Sequence, residues 1–325
     1  MGLGLSGLLL SACNGPASSI SPLGATPARS QTVIPLSGTA TPTPIPFKFT
    51  TVNNPNSEVN HVTGINQLGK IVGWFGGGSG STIPESYTSE PPYVKFRGED
   101  YPGAQGTAAI ALTSNKIVVG YVLNPQNLNG IWGFVRAKGV WSLLKDRKEG
   151  DGNYAVTELL GMNDAGDAVG FYMDEYGTSI PFVLNTVTEQ YTNLKPPGAV
   201  GAEATGIDGK GDIAGTETLS GGNTTGFYLK TGTYYQFNYP GAQSTQALSL
   251  NWQDQVVGDY TDKNGATHGF VLTSPTNGQQ TRIWQSVDEP NAAGATVITG
   301  INNHDDICGW YVDANGNTDG FVASP

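Results

Sequence analysis

Short apolar runs, bounded by Asn, Asp, Gly and Pro, recur along the chain from about residue 47 to its end. Runs of this length between turn formers predict β-strands joined by tight turns. The pattern also repeats. The segment GINQLGKIVGWF at residues 64–75 has five relatives: ALTSNKIVVGYV (111–122), GMNDAGDAVGFY (161–172), GIDGKGDIAGTE (206–217), SLNWQDQVVGDY (249–260) and GINNHDDICGWY (300–311). Their shared glycines, Gly73, Gly120, Gly170, Gly215, Gly258 and Gly309, are separated by 47, 50, 45, 43 and 51 residues. A second landmark keeps the same order: Pro92-Tyr93-Val94, Gly133-Phe134-Val135, Pro181-Phe182-Val183, Gly226-Phe227-Tyr228, Gly269-Phe270-Val271 and Gly320-Phe321-Val322.

Each unit therefore predicts four strands. The first ends at Gly-Ile-Asn, the second holds Ile-Val-Gly-Trp, the third Gly-Phe-Val, and an outer aromatic strand precedes a turn such as Tyr239-Pro240-Gly241. Four strands of about 5–6 residues with connections of about 4–6 come to roughly 36–48 residues, which matches the repeat. A four-stranded sheet with two apolar faces cannot bury both alone, so the units must stack. The last unit stops after Gly320-Phe321-Val322, whereas an extra outer-type strand, Phe47 to Val52, precedes the first. The expected fold is an all-β, six-bladed β-propeller of four-stranded blades, closed by the N-terminal strand completing the last blade. Residues 47–325 form this propeller, 14–46 a disordered Ser/Thr/Pro-rich tether, and 1–13 a signal and lipobox segment.

Composition agrees: 46 Gly, 20 Pro and only 13% charged residues suit many short strands and turns. The net charge of −11 repels a phosphate backbone, so nucleic acid is not an expected partner. No apolar stretch of about 18–20 residues is present to span a bilayer. Leu10-Ser11-Ala12-Cys13, after the apolar run Gly7 to Leu10, has the form of a lipobox, which makes Cys13 the expected lipidation site. A tether of about 33 residues at roughly 3 Å each reaches on the order of 100 Å from a membrane. The expected protein is a monomeric cell-envelope lipoprotein, at the outer membrane or cell surface, touching the membrane through its lipid alone. Cys308 stands where other units carry residues such as Ala214 or Val257 and is expected to be a small buried hydrophobe.

Candidate chemistry is sparse. His61, His268 and His304 lie at non-equivalent places and share no metal-ligand spacing, so no histidine metal site is expected. The stretch Asp313 to Gly320, with Asp313 and Asn315, has the alternating oxygens of a calcium loop but lacks a bidentate Glu; a hairpin turn is the favoured reading, as for Asp262 to Gly265. A carboxylate pair for glycoside hydrolysis has candidates in Asp174, Glu175, Glu217, Asp259, Asp262 and Asp313, with no spacing that singles any out, so no catalytic residue is assigned. Aromatics follow the shared glycines at Trp74-Phe75, Tyr121, Phe171-Tyr172, Tyr260 and Trp310-Tyr311. Packing between blades explains them first; Tyr172, Tyr260 and Tyr311 border the variable turns and are the ones expected to reach solvent and a ligand. An insertion from Gly76 toward Pro92 enlarges the first unit.

The Gly-Ile-Asn and Gly-Phe landmarks resemble the extracellular HAF-type repeat family of bacterial proteins, over the span from Phe47 to the C-terminus. Only His268-Gly269-Phe270 keeps the family's histidine. The resemblance implies secretion and a β-rich repeat fold and carries over no catalytic residue. The expected function is a non-catalytic binding or scaffold head for a glycan or protein; the alternative is a carbohydrate-active enzyme with a carboxylate pair at the channel. Paired acids with aromatics in a deep channel mouth would favour catalysis, and a shallow pocket lined by Asn, Tyr and Trp would favour binding.

Overall fold

The computed structural model describes residues 33–35, 38–40, 45–55, 57–76, 83–125, 130–144, 156–273 and 282–325. Six antiparallel sheets stand around a central channel as the blades of a propeller. The first strand of each blade is innermost: Asn60–Ile65, Gly106–Leu112, Thr157–Met162, Ala199–Ile207, Ser244–Leu250 and Thr296–Ile301. Each contacts its counterparts in the neighbouring blades, and the last contacts the first. The ring closes as expected, with Lys48–Val52 lying antiparallel on Thr318–Ser324, Lys48 opposite Ser324 and Val52 opposite Gly320.

Every blade junction holds its own apolar cluster. Between the fourth and fifth blades, for instance, Tyr228 and Phe237 pack with Phe270 and Trp284. Cys308 is fully buried beside Val62 and Tyr87 where the sixth blade meets the first. The two faces that one sheet cannot cover are thus covered by its neighbours, which is why a ring satisfies the sequence and an isolated unit does not.

The innermost strands share one irregularity. Each shifts register by one residue, between Val62 and Gly64 in the first blade and at the equivalent place in the other five. A β-bulge of this kind bends its strand and re-aims the extra side chain. Thr63, Ile110, Leu160, Thr205, Leu248 and Thr299 are those residues, and all six line the channel. The three threonines also tie blades together: their hydroxyls donate to Ala109 O, Ala247 O and Val62 O of the next blade, each at 2.7 Å. The bulge explains the shared glycines. A Cβ on Gly73 would sit 2.0 Å from His61 O, and one on Gly258 only 1.8 Å from Gln246 O.

Two expectations change. The third strand of the first blade is Pro84–Ser89, and Tyr87 stands opposite Gly73 as Phe134 stands opposite Gly120. The landmark in that blade is therefore Ser86-Tyr87-Thr88 and not Pro92-Tyr93-Val94. Tyr93 lies in a turn, with φ of 61°, and its hydroxyl donates to Gly69 O at 2.8 Å. Residues 77–82 of the insertion lie outside the described residues. Second, part of the segment read as a tether lies along the rim. Val33–Pro35 pairs in parallel with Tyr234 to Gln236, and Gly38–Ala40 with Arg282 to Trp284. An outermost strand presents unpaired N–H and C=O groups that an extended segment can satisfy. Ile45 is held next, exchanging backbone hydrogen bonds with the Gln285 amide at 3.0 and 2.9 Å. Cys13 lies outside the described residues.

Candidate functional site

The channel has two unlike mouths. At the end where the innermost strands begin, the equivalent positions carry His61, Ala108, Glu158, Glu203, Gln246 and Val297. Their cross-strand partners are Trp74, Tyr121, Phe171, Thr216, Asp259 and Trp310. Bulky aromatics fill the sector of the sixth, first and second blades: His61 stacks on Trp74 at 4.1 Å and meets Trp310 edge-on at 4.9 Å. The opposite sector is open. Its cavity, about 910 Å³ including the open mouth, is lined by Glu158, Glu203, Thr216 and Gln246 above an apolar wall of Leu160, Phe171, Met173 and Leu248.

Among the described residues, the acids of this mouth stand without countercharge. Glu158 is only 6% exposed and has no side-chain hydrogen bond or ion pair among the described residues. Burial, and then the charge of Glu203, push its carboxyl up to about 8. Burial alone pushes Glu203 up to about 7, and Asp259, opposite Gln246, to about 7 as well. The described lysines and arginines that form ion pairs do so elsewhere, with Glu90, Glu99 and Asp254. His61 offers no compensation, because burial lowers it to about 3 and leaves it neutral.

The other mouth is built from hairpin caps. Asn66 accepts the backbone N–H groups of Leu68 and Lys70 at 3.0 Å and donates its amide to Thr113 O of the next blade at 3.2 Å. Asn163, Asn251 and Asn302 likewise donate onward, to Asp208 O, Asn302 O and Asn66 O at 3.0, 3.0 and 3.3 Å. Asp208 interrupts this series: it has no amide to donate, and its buried Oδ2 has no partner. Around the rim stand Gln67, Asp164, Trp252 and Asn303. Trp252 is 55% exposed and lies against Gly209, where a Cβ would come within 2.5 Å of the indole nitrogen. Asp208, Asp212 and Asp254 gather nearby, with carboxylate oxygens within 4.8 Å of one another, but Lys210 and Lys230 both reach Asp254 and supply the countercharge.

Few residues singled out from the sequence lie in either mouth. Tyr172, Tyr260 and Tyr311 are buried and do not reach solvent. They sit one residue beyond the channel-facing Phe171, Asp259 and Trp310, and strand alternation turns them into the blade junctions. Tyr172 accepts a hydrogen bond from Asn193 Nδ2 at 3.0 Å, and Tyr260 stacks on Tyr239 at 3.6 Å. Asp313 caps its own hairpin, accepting Asn315 N and Asn317 N at 2.8 Å through Oδ1 and both their side-chain amides at 3.2 Å through Oδ2. Asp262 and Asp174 cap equivalent hairpins in the fifth and third blades. Glu217 is buried against Gln236 and Thr225. Of the candidate carboxylates only Asp259 adjoins the acidic mouth, and of the aromatics Phe171 lines it. Glu158 and Glu203 were missed, although a charge three residues before Gly161 and Gly206, inside an otherwise buried strand, was the available signal.

Fold and site together define a closed six-bladed propeller with two chemically distinct mouths. No family model matches the chain, and no curated protein matches it. Among solved structures it is similar to AofleA from Arthrobotrys oligospora, with a TM-score of 0.53 and 12% identity over 91% of this chain and 92% of that one. It is also similar to a gluconolactonase from Xanthomonas campestris, with a TM-score of 0.50 and 10% identity over 92% of this chain and all of that one. At such identity the likeness is one of fold.

Proposed function

We propose that the chain is an extracytoplasmic, lipid-anchored binding propeller of the HAF-repeat type that holds a glycan, without catalysis, at the mouth carrying Trp252. The observation that supports this most is Trp252 itself. A half-exposed indole laid flat against a glycine at a channel mouth is a stacking surface for the apolar face of a sugar ring. Gln67 and Asn303 each use their side-chain oxygen within the rim, toward Asn303 N and Trp252 N, so their amide N–H groups are available to hydroxyls. Hairpins locked to the next blade keep this surface preorganised. Lipidation of Cys13 would present the head from the envelope.

One observation favours a second reading. Glu158 and Glu203 are neighbouring carboxylates with raised pKa values in a cavity with an aromatic wall, the setting a glycoside hydrolase needs for its acid and its base. A screen of the full chain against soluble polysaccharides, reading melting temperature and released reducing ends together, separates the two. Stabilisation without product, lost in Trp252→Ala, supports the binding reading. Product formation abolished by Glu158→Gln or Glu203→Gln overturns it. Loss of fatty-acid labelling in Cys13→Ala checks the anchor.

A further inference from the structure

We infer that the acidic mouth, distinct from the mouth carrying Trp252, is a second binding site whose ligand is an organic cation: a protonated amine on a sugar or alkyl frame. The argument starts from the imbalance of the lining. Glu158 and Glu203 project from adjacent innermost strands into one cavity, with Asp259 behind Gln246, and among the described residues no lysine, arginine or histidine lines it. Carboxylates buried without a partner are unfavourable as anions, and a retained pair facing a cavity is complementary to a cation that enters it. Tyr121, beside Glu158 from the second blade, is kept as the neutral phenol by burial and by that carboxylate, so it neither neutralises the acids nor adds a negative charge of its own.

The lining also selects the kind of cation. A single metal ion needs its oxygens gathered close together, and among the described residues the one acidic trio within 4.8 Å is Asp208, Asp212 and Asp254, at the other mouth. The acids here are instead set on separate strands over Leu160, Leu248, Met173 and the ring of Phe171. That surface fits an ammonium group carried on a carbon skeleton: the carboxylates take the charge, the apolar wall takes the stem, and Phe171 offers a π-face. Thr216 and Gln246 add polar contacts of the kind that a hydroxyl beside the amine would meet. Anionic glycans are repelled by the same lining.

Entry of the cation makes the ionised carboxylates favourable again, so binding releases protons near neutral pH. This is the distinguishing signature. Titration calorimetry of the full chain with 1,5-diaminopentane at pH 7, in two buffers of different ionisation enthalpy, is expected to show heat and net proton release. A glucosamine oligomer and its N-acetylated counterpart complete the set. Tighter binding of the glucosamine oligomer assigns an amino sugar and tighter binding of the diamine an alkyl amine; both support the inference. Glu158→Gln and Glu203→Gln should each weaken amine binding about tenfold or more, while Trp252→Ala leaves it unchanged. Both glutamine variants are expected to fold, and a melting temperature at pH 8 no lower than the parent's confirms it. No amine binding at millimolar concentration, equal binding of the acetylated oligomer, or undiminished binding by both folded glutamine variants overturns the inference. Glycan binding lost in Trp252→Ala tests the other mouth separately.

Discussion

Replacing Glu158 with glutamine removes an ionisable group from the most buried part of the acidic mouth while keeping its shape. In the unfolded chain this carboxyl titrates near its ordinary value of 4.5, and in the folded protein burial and Glu203 hold it up to about 8. Between these values the folded state keeps a proton that the unfolded state has lost. Stability therefore falls as pH rises through this window and levels off above it. At about 1.4 kcal/mol per pH unit, the window amounts to on the order of 5 kcal/mol, and Glu203 adds a similar slope up to about 7. Below about pH 4.5 both states are protonated and the penalty is absent. Denaturant unfolding of the full chain from pH 4 to 9 should show a marked decline for the parent and a shallower one for Glu158→Gln. The two curves should converge at the acid end and separate by several kcal/mol at pH 8. Equal slopes in parent and variant, or a variant less stable than the parent at pH 8, would refute the burial argument and the inference built on the same carboxylate.

Gly258→Ala should destabilise by on the order of 3 kcal/mol, because its Cβ would meet Gln246 O at 1.8 Å and the bulge fixes that carbonyl. Gly98→Ala, with nothing within 4 Å, is the matched control, and thermal unfolding compares them. Asp208→Asn gives the buried Oδ2 position a donor equivalent to those of Asn163 and Asn251, so it should stabilise by about 1–2 kcal/mol, read as a higher denaturation midpoint. Deleting residues 1–53 removes the strand that completes the sixth blade; the shortened protein should melt earlier and be restored by adding a synthetic peptide of residues 45–54. Failure of the peptide to raise the melting temperature would mean that closure is not what the strand contributes.

Much of this architecture is legible in the chain because it is written six times. A repeated Gly flanked by apolar residues specifies a strand, the Asn-x-x-Gly turn specifies a hairpin, and the surplus strand at Phe47 to Val52 specifies closure. Local rules sufficed where one residue type was required for a backbone reason, as with the caps at Asn66, Asn163 and Asp313. They failed at the first blade, where Tyr87 and Tyr93 are both aromatic and each has a proline within the three residues before it, and only the ladder opposite Gly73 tells them apart.

The sites belong to the other category. Along the sequence Tyr172, Tyr260 and Tyr311 look as exposed as any residue beside a variable turn, yet alternation and the neighbouring blade bury them. Glu158 and Glu203 lie 45 residues apart and look like unrelated surface acids. The chain by itself determined the six blades, their four strands each and the ring, though not the two short strands laid along their outer edges, because the blades follow from local conformation and from the need to bury two faces of every sheet. Which side chains face each other across the channel, and how far water is kept from them, was decided only by closing that ring, since the electrostatics of a carboxylate depend on neighbours in space rather than in sequence.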